Sequence, residues 1–144
     1  MTRGWLVAAG VSGALAVALG AFGAHGLEAD LAVAQDGAKR IGWWETAAHY
    51  HLMHSVALIG VAWVRSTTAG RAPTVAGWAF VLGVVLFSGS LYAMTLTDLR
   101  ALGMVTPLGG TAFIVGWVSL AVAGGRVGRP GGAPPTSSSG AGDE

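Results

Sequence analysis

Apolar positions in this chain fall into four long runs, and the polar positions gather between the runs or at one end of each. The first, residues 5–24 (WLVAAGVSGALAVALGAFGA), holds one hydroxyl, Ser12, and no ionisable group. About twenty such residues, rising about 1.5 Å each as a helix, cross the roughly 30 Å hydrocarbon core of a bilayer. The second run, residues 45–64, is polar in its first half (ETAAHYHLMHS) and apolar in its second (VALIGVAWV). The third, residues 75–96, follows the Arg71-Ala72-Pro73 turn. The fourth, residues 106–124, carries Pro107 in its first turn, where a missing N–H costs nothing. Backbone groups in lipid must be paired within their own segment, so each run is predicted to be a helix. The predicted fold is all-α, an integral membrane bundle of four antiparallel transmembrane helices within residues 1–125. Residues 126–144 (RVGRPGGAPPTSSSGAGDE) bury too little apolar surface to offset their ordering entropy and are predicted to form a disordered tail.

The connections and flanks refine this picture. In the long first connection, Leu27, Leu31 and Ala34 mark one apolar edge of a short interfacial helix, with Gly37 expected to break it. Alternating helix direction sends Trp5, Trp63, Trp78 and Trp117 toward one membrane face and Trp43, Trp44, Tyr50 and Tyr92 toward the other, as anchoring rings at the interfaces. Arg3, Arg65, Arg71, Arg126 and Arg129 flank the spans on one side, and Lys39, Arg40 and Arg100 on the other. Five basic residues against three place both termini in the cytoplasm of a plasma (inner) membrane protein. Arg3 and the Ala21–Ala24 segment resemble a secretory signal, but the run is longer than a usual signal core and patterned with Gly and Ala, which reads as a retained span. Small residues recur four apart, with Gly13, Gly20, Gly89 and Gly116 as the expected helix-packing positions. Such faces serve packing within the bundle first and a homo-oligomer seam second.

Charge and composition close off several functions. The formal net charge of +1 offers no basic footprint for nucleic acid, and the absence of cysteine removes disulfides, thiolate metal sites and thiol catalysis. What remains is a group of polar residues that alternating helices bring into one half of the membrane: His25, Glu45, Tyr50, His54, Ser88, Ser90, Tyr92 and Thr106. His54 lies roughly 15 Å beyond Trp44 along a helix, near the bilayer midplane. Ionisable groups at that depth face protein or a cavity, and a neutral His54 held by Ser88, Ser90 or a carbonyl is the plain expectation. Imidazole and carboxylate together suit a transition metal, and His51 with His54, or Glu45 with His49, share helix faces. Glu45 and His54 point in opposite directions from the helix, however, and no diagnostic ligand spacing is present, so no metal or cofactor is assigned. A proton path needs a second acid deep in the other half, and the first, third and fourth runs hold none. No nucleophile motif and no embedded acid pair argue for an enzyme.

The same residues carry a resemblance. Residues 12–27 (SGALAVALGAFGAHGL), Trp44-Glu45-Thr46-Ala47 with Tyr50 and His54, residues 86–92 (LFSGSLY) and residues 106–110 (TPLGG) are similar to the signature of the family called domain of unknown function 423. These are small bacterial inner-membrane proteins, with animal proteins similar to transmembrane protein 256 beside them. The resemblance covers nearly everything up to Gly124 and implies four helices. It weights His25, Tyr50, His54, Ser88, Ser90, Tyr92, Thr106 and Pro107, while His49 and His51 fall outside the pattern. It implies no activity. The expected role is a non-enzymatic accessory or structural component in the lipid bilayer that packs against itself or a larger membrane protein. The alternative is a carrier or channel for protons, a metal ion or a small solute, with His54 lining the path.

Overall fold

A computed structural model describes residues 2–128, and every regular element among them is helical. Helix α1 (Thr2–Phe22) passes through a π turn, Gly23–Leu27, into the short α2 (Glu28–Leu31). Helix α3 spans Gly37–Thr67. Helix α4 (Ala72–Gly83) continues through a second π turn, Val84–Ser88, into α5 (Gly89–Thr97). A 3₁₀ turn, Arg100–Met104, leads to α6 (Thr106–Gly124). The result is four rods. The tail expected from residue 126 lies outside the described residues beyond Gly128.

Cross-rod contacts fix the directions. Between α1 and α3, Ser12 meets Ser55 and Leu19 meets Trp44, so residue numbers rise along one as they fall along the other. Between α3 and the α4–α5 rod, His54 faces Phe80, Tyr50 faces Phe87, and Arg40 faces Thr95. Between that rod and α6, the Phe80 ring lies on Gly116, Phe113 lies on Gly83, and Ser90 bonds Thr106. Each successive rod therefore reverses. The start of α1, the end of α6 and the α3–α4 loop share one end, where a Cβ on Gly70 would lie 3.4 Å from Arg126 Nη1. At the opposite end Arg100 and Asp36 form a 2.9 Å ion pair.

Glycine lets rings and backbone approach closely where the rods cross. A side chain on Gly77 would strike the Trp5 indole, and one on Gly109 would strike the backbone of Phe87 within the second π turn. Gly37, expected to break a short helix, instead begins α3, and a Cβ there would collide with the Leu31 carbonyl. The expected interfacial helix is likewise a continuation of the first rod, with Leu27 and Leu31 buried against Trp44. Around this core, Val7, Val17, Val56, Ile59, Val85, Ile114 and Val118 point outward. A soluble monomer does not expose so much contiguous apolar surface, whereas lipid is a good solvent for it.

The expectation of four runs each apolar enough to span is corrected here. Thr2–Leu31, Ala72–Thr97 and Arg100–Gly124 have the length and composition to cross a membrane, and α3 is not among them. Its 31 residues are long enough, but Lys39, Arg40, Glu45 and three histidines dilute its apolar content. Helix α3 touches the other three rods, which cover much of its polar face: His51, His54 and Ser55 are all buried.

Candidate functional site

The polar residues pair off at separate crossings and do not converge on one centre. His54, 2 % exposed, sits at the α3–α4–α6 crossing. Its Nδ1 lies 2.7 Å from the Tyr50 carbonyl, which can only accept, so Nδ1 carries the proton. Nε2 is then an acceptor, and the Trp117 indole N–H donates to it at 3.3 Å. The ring stacks on Phe113 with centroids 3.5 Å apart and planes 9° from parallel. Both nitrogens and one face of the imidazole are thus engaged.

A second group clasps α1 to α3. Ser55 Oγ donates to the His51 carbonyl at 2.8 Å, one turn back on its own helix. With that proton committed, Ser12 Oγ donates to Ser55 Oγ at 2.6 Å. His51 Nε2–H then donates to Ser12 Oγ at 3.1 Å, which closes a ring of three bonds. His51 is 4 % exposed; its Nδ1, the Tyr92 hydroxyl and Ser88 Oγ are buried without a protein partner. At the α5–α6 crossing, Ser90 donates to the Phe87 carbonyl at 3.0 Å and accepts from Thr106 at 2.8 Å. Toward the end of α5, the Arg40 guanidinium donates to the Thr95 carbonyl through Nε, at 2.9 Å, and through Nη2. Thr95 Oγ1 lies within reach of the Arg40 and Leu91 carbonyls, at 3.1 and 2.9 Å. The Trp44 indole N–H donates to the Leu19 carbonyl at 2.8 Å, which ties α3 to the last turns of α1.

Several expected cluster members lie elsewhere. His25 and Glu45 are exposed and do not join His54. His25 falls inside the first π turn, and the extra residue of such a turn rotates the helix face by about 100°. Tyr50 is exposed at its edge while its ring packs 4.6 Å from Phe87, and Tyr92 lies 4.5 Å from Trp44. Trp5 and Trp44, expected as interface anchors, are buried packing residues, and Trp117 serves His54. Among the described residues no three His, Asp or Glu side chains lie close enough to hold a metal ion. The expected packing glycines also divide. Gly116 seats Phe80, and a Cβ on Gly13 would rest 3.8 Å from Ser55 Cβ. Gly89 would meet only the carbonyl of Val84 at 3.9 Å, in its own rod, and Gly20 would meet nothing within 4 Å. Gly20 instead floors an open groove of about 530 Å³ between α1 and α3, with Ala16, Ala24 and Ala48 beside it and Glu28, Glu45 and His49 at its rim.

The expected polar cluster leaves out Ser12, His51, Ser55, Trp117 and Arg40, although the sequence marks His51 as a candidate metal ligand, Trp117 as an interface ring and Arg40 as a flanking charge. A lone hydroxyl in an otherwise apolar run was the available signal for Ser12, and the four-residue spacing of His51 and Ser55 marks a shared face.

Residues 19–110 match the family described as Protein of unknown function (DUF423). The chain belongs to this family. A UPF0382 membrane protein of Bacillus subtilis, YwdK, is 42 % identical over 120 residues, covering 83 % of this chain and 94 % of the relative. The UPF0382 inner membrane protein YgdD of Escherichia coli K12 is 40 % identical over 133 residues, covering 90 % and 95 %. A Staphylococcus haemolyticus UPF0382 membrane protein is 44 % identical over 108 residues, covering 75 % and 84 %. No solved structure matches. The DUF423 region takes in both π turns, His51, His54, Ser90 and Thr106, and lies between Ser12 and Trp117. The family is uncharacterised, and its named relatives here are membrane proteins.

Proposed function

We propose that this DUF423 protein crosses the inner membrane four times, with both termini in the cytoplasm, and serves there as a non-enzymatic accessory or structural component that associates with a second copy of itself. The fourth crossing rests on α3: it is long enough to span, and it runs antiparallel between rods that are themselves apolar enough. The orientation rests on Arg3, Arg65, Arg71 and Arg126 at the end that holds both termini of the described chain.

The observation that carries the role is the α1–α3 groove. Ala16, Gly20 and Ala24 recur along it at the spacing that lets helices meet closely, yet nothing in the bundle covers Gly20. Its rim holds the Glu45 carboxylate and the His49 imidazole one turn apart. Two grooves facing across a twofold axis pair Glu45 of each copy with His49 of the other, so the surface complements itself. The carrier reading has less support, because a His54 with both nitrogens and a face occupied has nothing left to offer a passing ion.

A photo-crosslinker placed at Ala21, beside Gly20, tests this in native membranes. The expected product has twice the protein's mass and disappears in Gly20→Leu, whose bulk fills the groove without disturbing the monomer. A crosslink to a different membrane protein keeps the accessory role and replaces the second copy with that partner. Recovery of monomer alone contradicts both.

A further inference from the structure

The two ends of the bundle differ sharply in charge. All five acidic residues among those described, Glu28, Asp30, Asp36, Glu45 and Asp98, lie toward the end that carries the Asp36–Arg100 pair. The other end holds Arg3, Arg65, Arg71 and Arg126, and no carboxylate among the described residues. The guanidinium groups of Arg65 and Arg126 reach one loop, to which Arg71 belongs by sequence. Arg65 reaches the Thr68 carbonyl at 3.5 Å, Arg71 follows Gly70 in the same loop, and Arg126 Nη1 lies beside Gly70. Gly70 has a φ of +109°, a conformation that side chains resist, and so keeps the loop turned beneath Arg126. Arg65 Nε is buried without an acceptor.

We propose that this loop binds the phosphate of an anionic phospholipid headgroup. Basic groups gathered at one loop without a counter-charge repel, so the locality is complementary to an anion with several oxygens. All the basic residues at this end are arginine, whose planar fork suits phosphate oxygens, and none is lysine. The level is also right for a headgroup. Trp63 and Trp78 are exposed at this end, as rings are at the membrane–water boundary. Below it, an open groove of about 360 Å³ lined by Trp5, Ala8, Trp78 and Val81 runs between α1 and α4 and can take an acyl chain. A lipid satisfies both features at once, whereas free phosphate satisfies only the first.

Full-length protein in nanodiscs of mixed phosphatidylcholine and phosphatidylglycerol, ejected for native mass spectrometry, provides the test. Phosphatidylglycerol is expected to be retained in excess of its bulk share, and each guanidinium removed lowers that excess about fivefold. The triple variant R65Q/R71Q/R126Q should lose the excess, while Lys39→Gln at the opposite end retains it. Thermal unfolding in a neutral detergent establishes that the triple variant is folded. If it is not, the wild type measured across about 0.05 to 0.5 M salt gives the same answer, because screening removes a headgroup contact of this kind several-fold. An excess that survives both the triple substitution and high salt overturns the proposal. Displacement of phosphatidylglycerol by millimolar inorganic phosphate also overturns it, since the ligand is then the free anion.

Discussion

His54 illustrates how a polar side chain becomes affordable deep in an apolar bundle. Its two nitrogens take opposite roles, one donating to Tyr50 and one accepting from Trp117, and Phe113 covers a face. His54→Ala is expected to lower stability by about 2–4 kcal/mol, because it removes a stacked pair and leaves the Trp117 N–H unpaired. Trp117→Phe keeps the ring and loses only the hydrogen bond, at about 0.6–1.7 kcal/mol. Thermal unfolding in a mild detergent ranks the two, and equal losses would show that the stack contributes nothing. Glycines give a sharper contrast. Gly109→Ala pushes a methyl into the Phe87 backbone and should cost about 1–3 kcal/mol, whereas Gly20→Ala enters open space and should leave the midpoint unchanged. Both glycines sit in similar small-residue surroundings, and the sequence pattern points to Gly20. Which face of α1 meets a neighbour depends on how the rods pack, and no local spacing records it.

At the scale of elements, the rods are held by side-chain clasps at their crossings. The Ser12–His51–Ser55 ring ties α1 to α3 near mid-length, and Trp44 ties them again at Leu19. Ser12→Ala opens the ring and is expected to cost about 1 kcal/mol. Faster amide hydrogen exchange in the middle of α1, with α6 unaffected, is the signature to look for. Arg40 fixes the last turn of α5 through the Thr95 carbonyl, so Arg40→Met should raise exchange at amides near Asp98. Unchanged exchange there would mean that the helix end is held by its own backbone alone. The apolar runs made the α1, α4–α5 and α6 rods legible in the sequence, because lipid demands long uninterrupted apolar helices. The π turns at Gly23–Leu27 and Val84–Ser88 were not legible, since an extra residue in a turn leaves the apolar run intact. Each turn shifts the phase of everything beyond it. His25 was therefore expected inward and emerges outward, and Ser88 was grouped with His54 yet has no partner. His51 is legible as a polar residue sharing a face with His54, but not as a clasp to α1, because the partner that gives it that role, Ser12, lies 39 residues away in the chain.

Taken as a whole, the molecule is turned outside-in relative to a soluble protein. Polar side chains bond to one another between the rods, valines and isoleucines face outward, and charge is confined to the two ends. That organisation explains why a helix as polar as α3 can lie among three apolar ones: His51, His54 and Ser55 bond inside the bundle. It also makes the number of crossings the central claim. The chain contains no cysteine, so a single introduced thiol reports one position without background. Val33, 94 % exposed in the connection before α3, and Ala69, exposed in the loop after it, bracket that helix. With Val33→Cys and Ala69→Cys expressed separately in bacterial cells whose outer barrier is permeabilised, a membrane-impermeant maleimide should label Val33→Cys at once. It should label Ala69→Cys only after the inner membrane is opened. Labelling of both thiols from the same side of that membrane would contradict the four-crossing account.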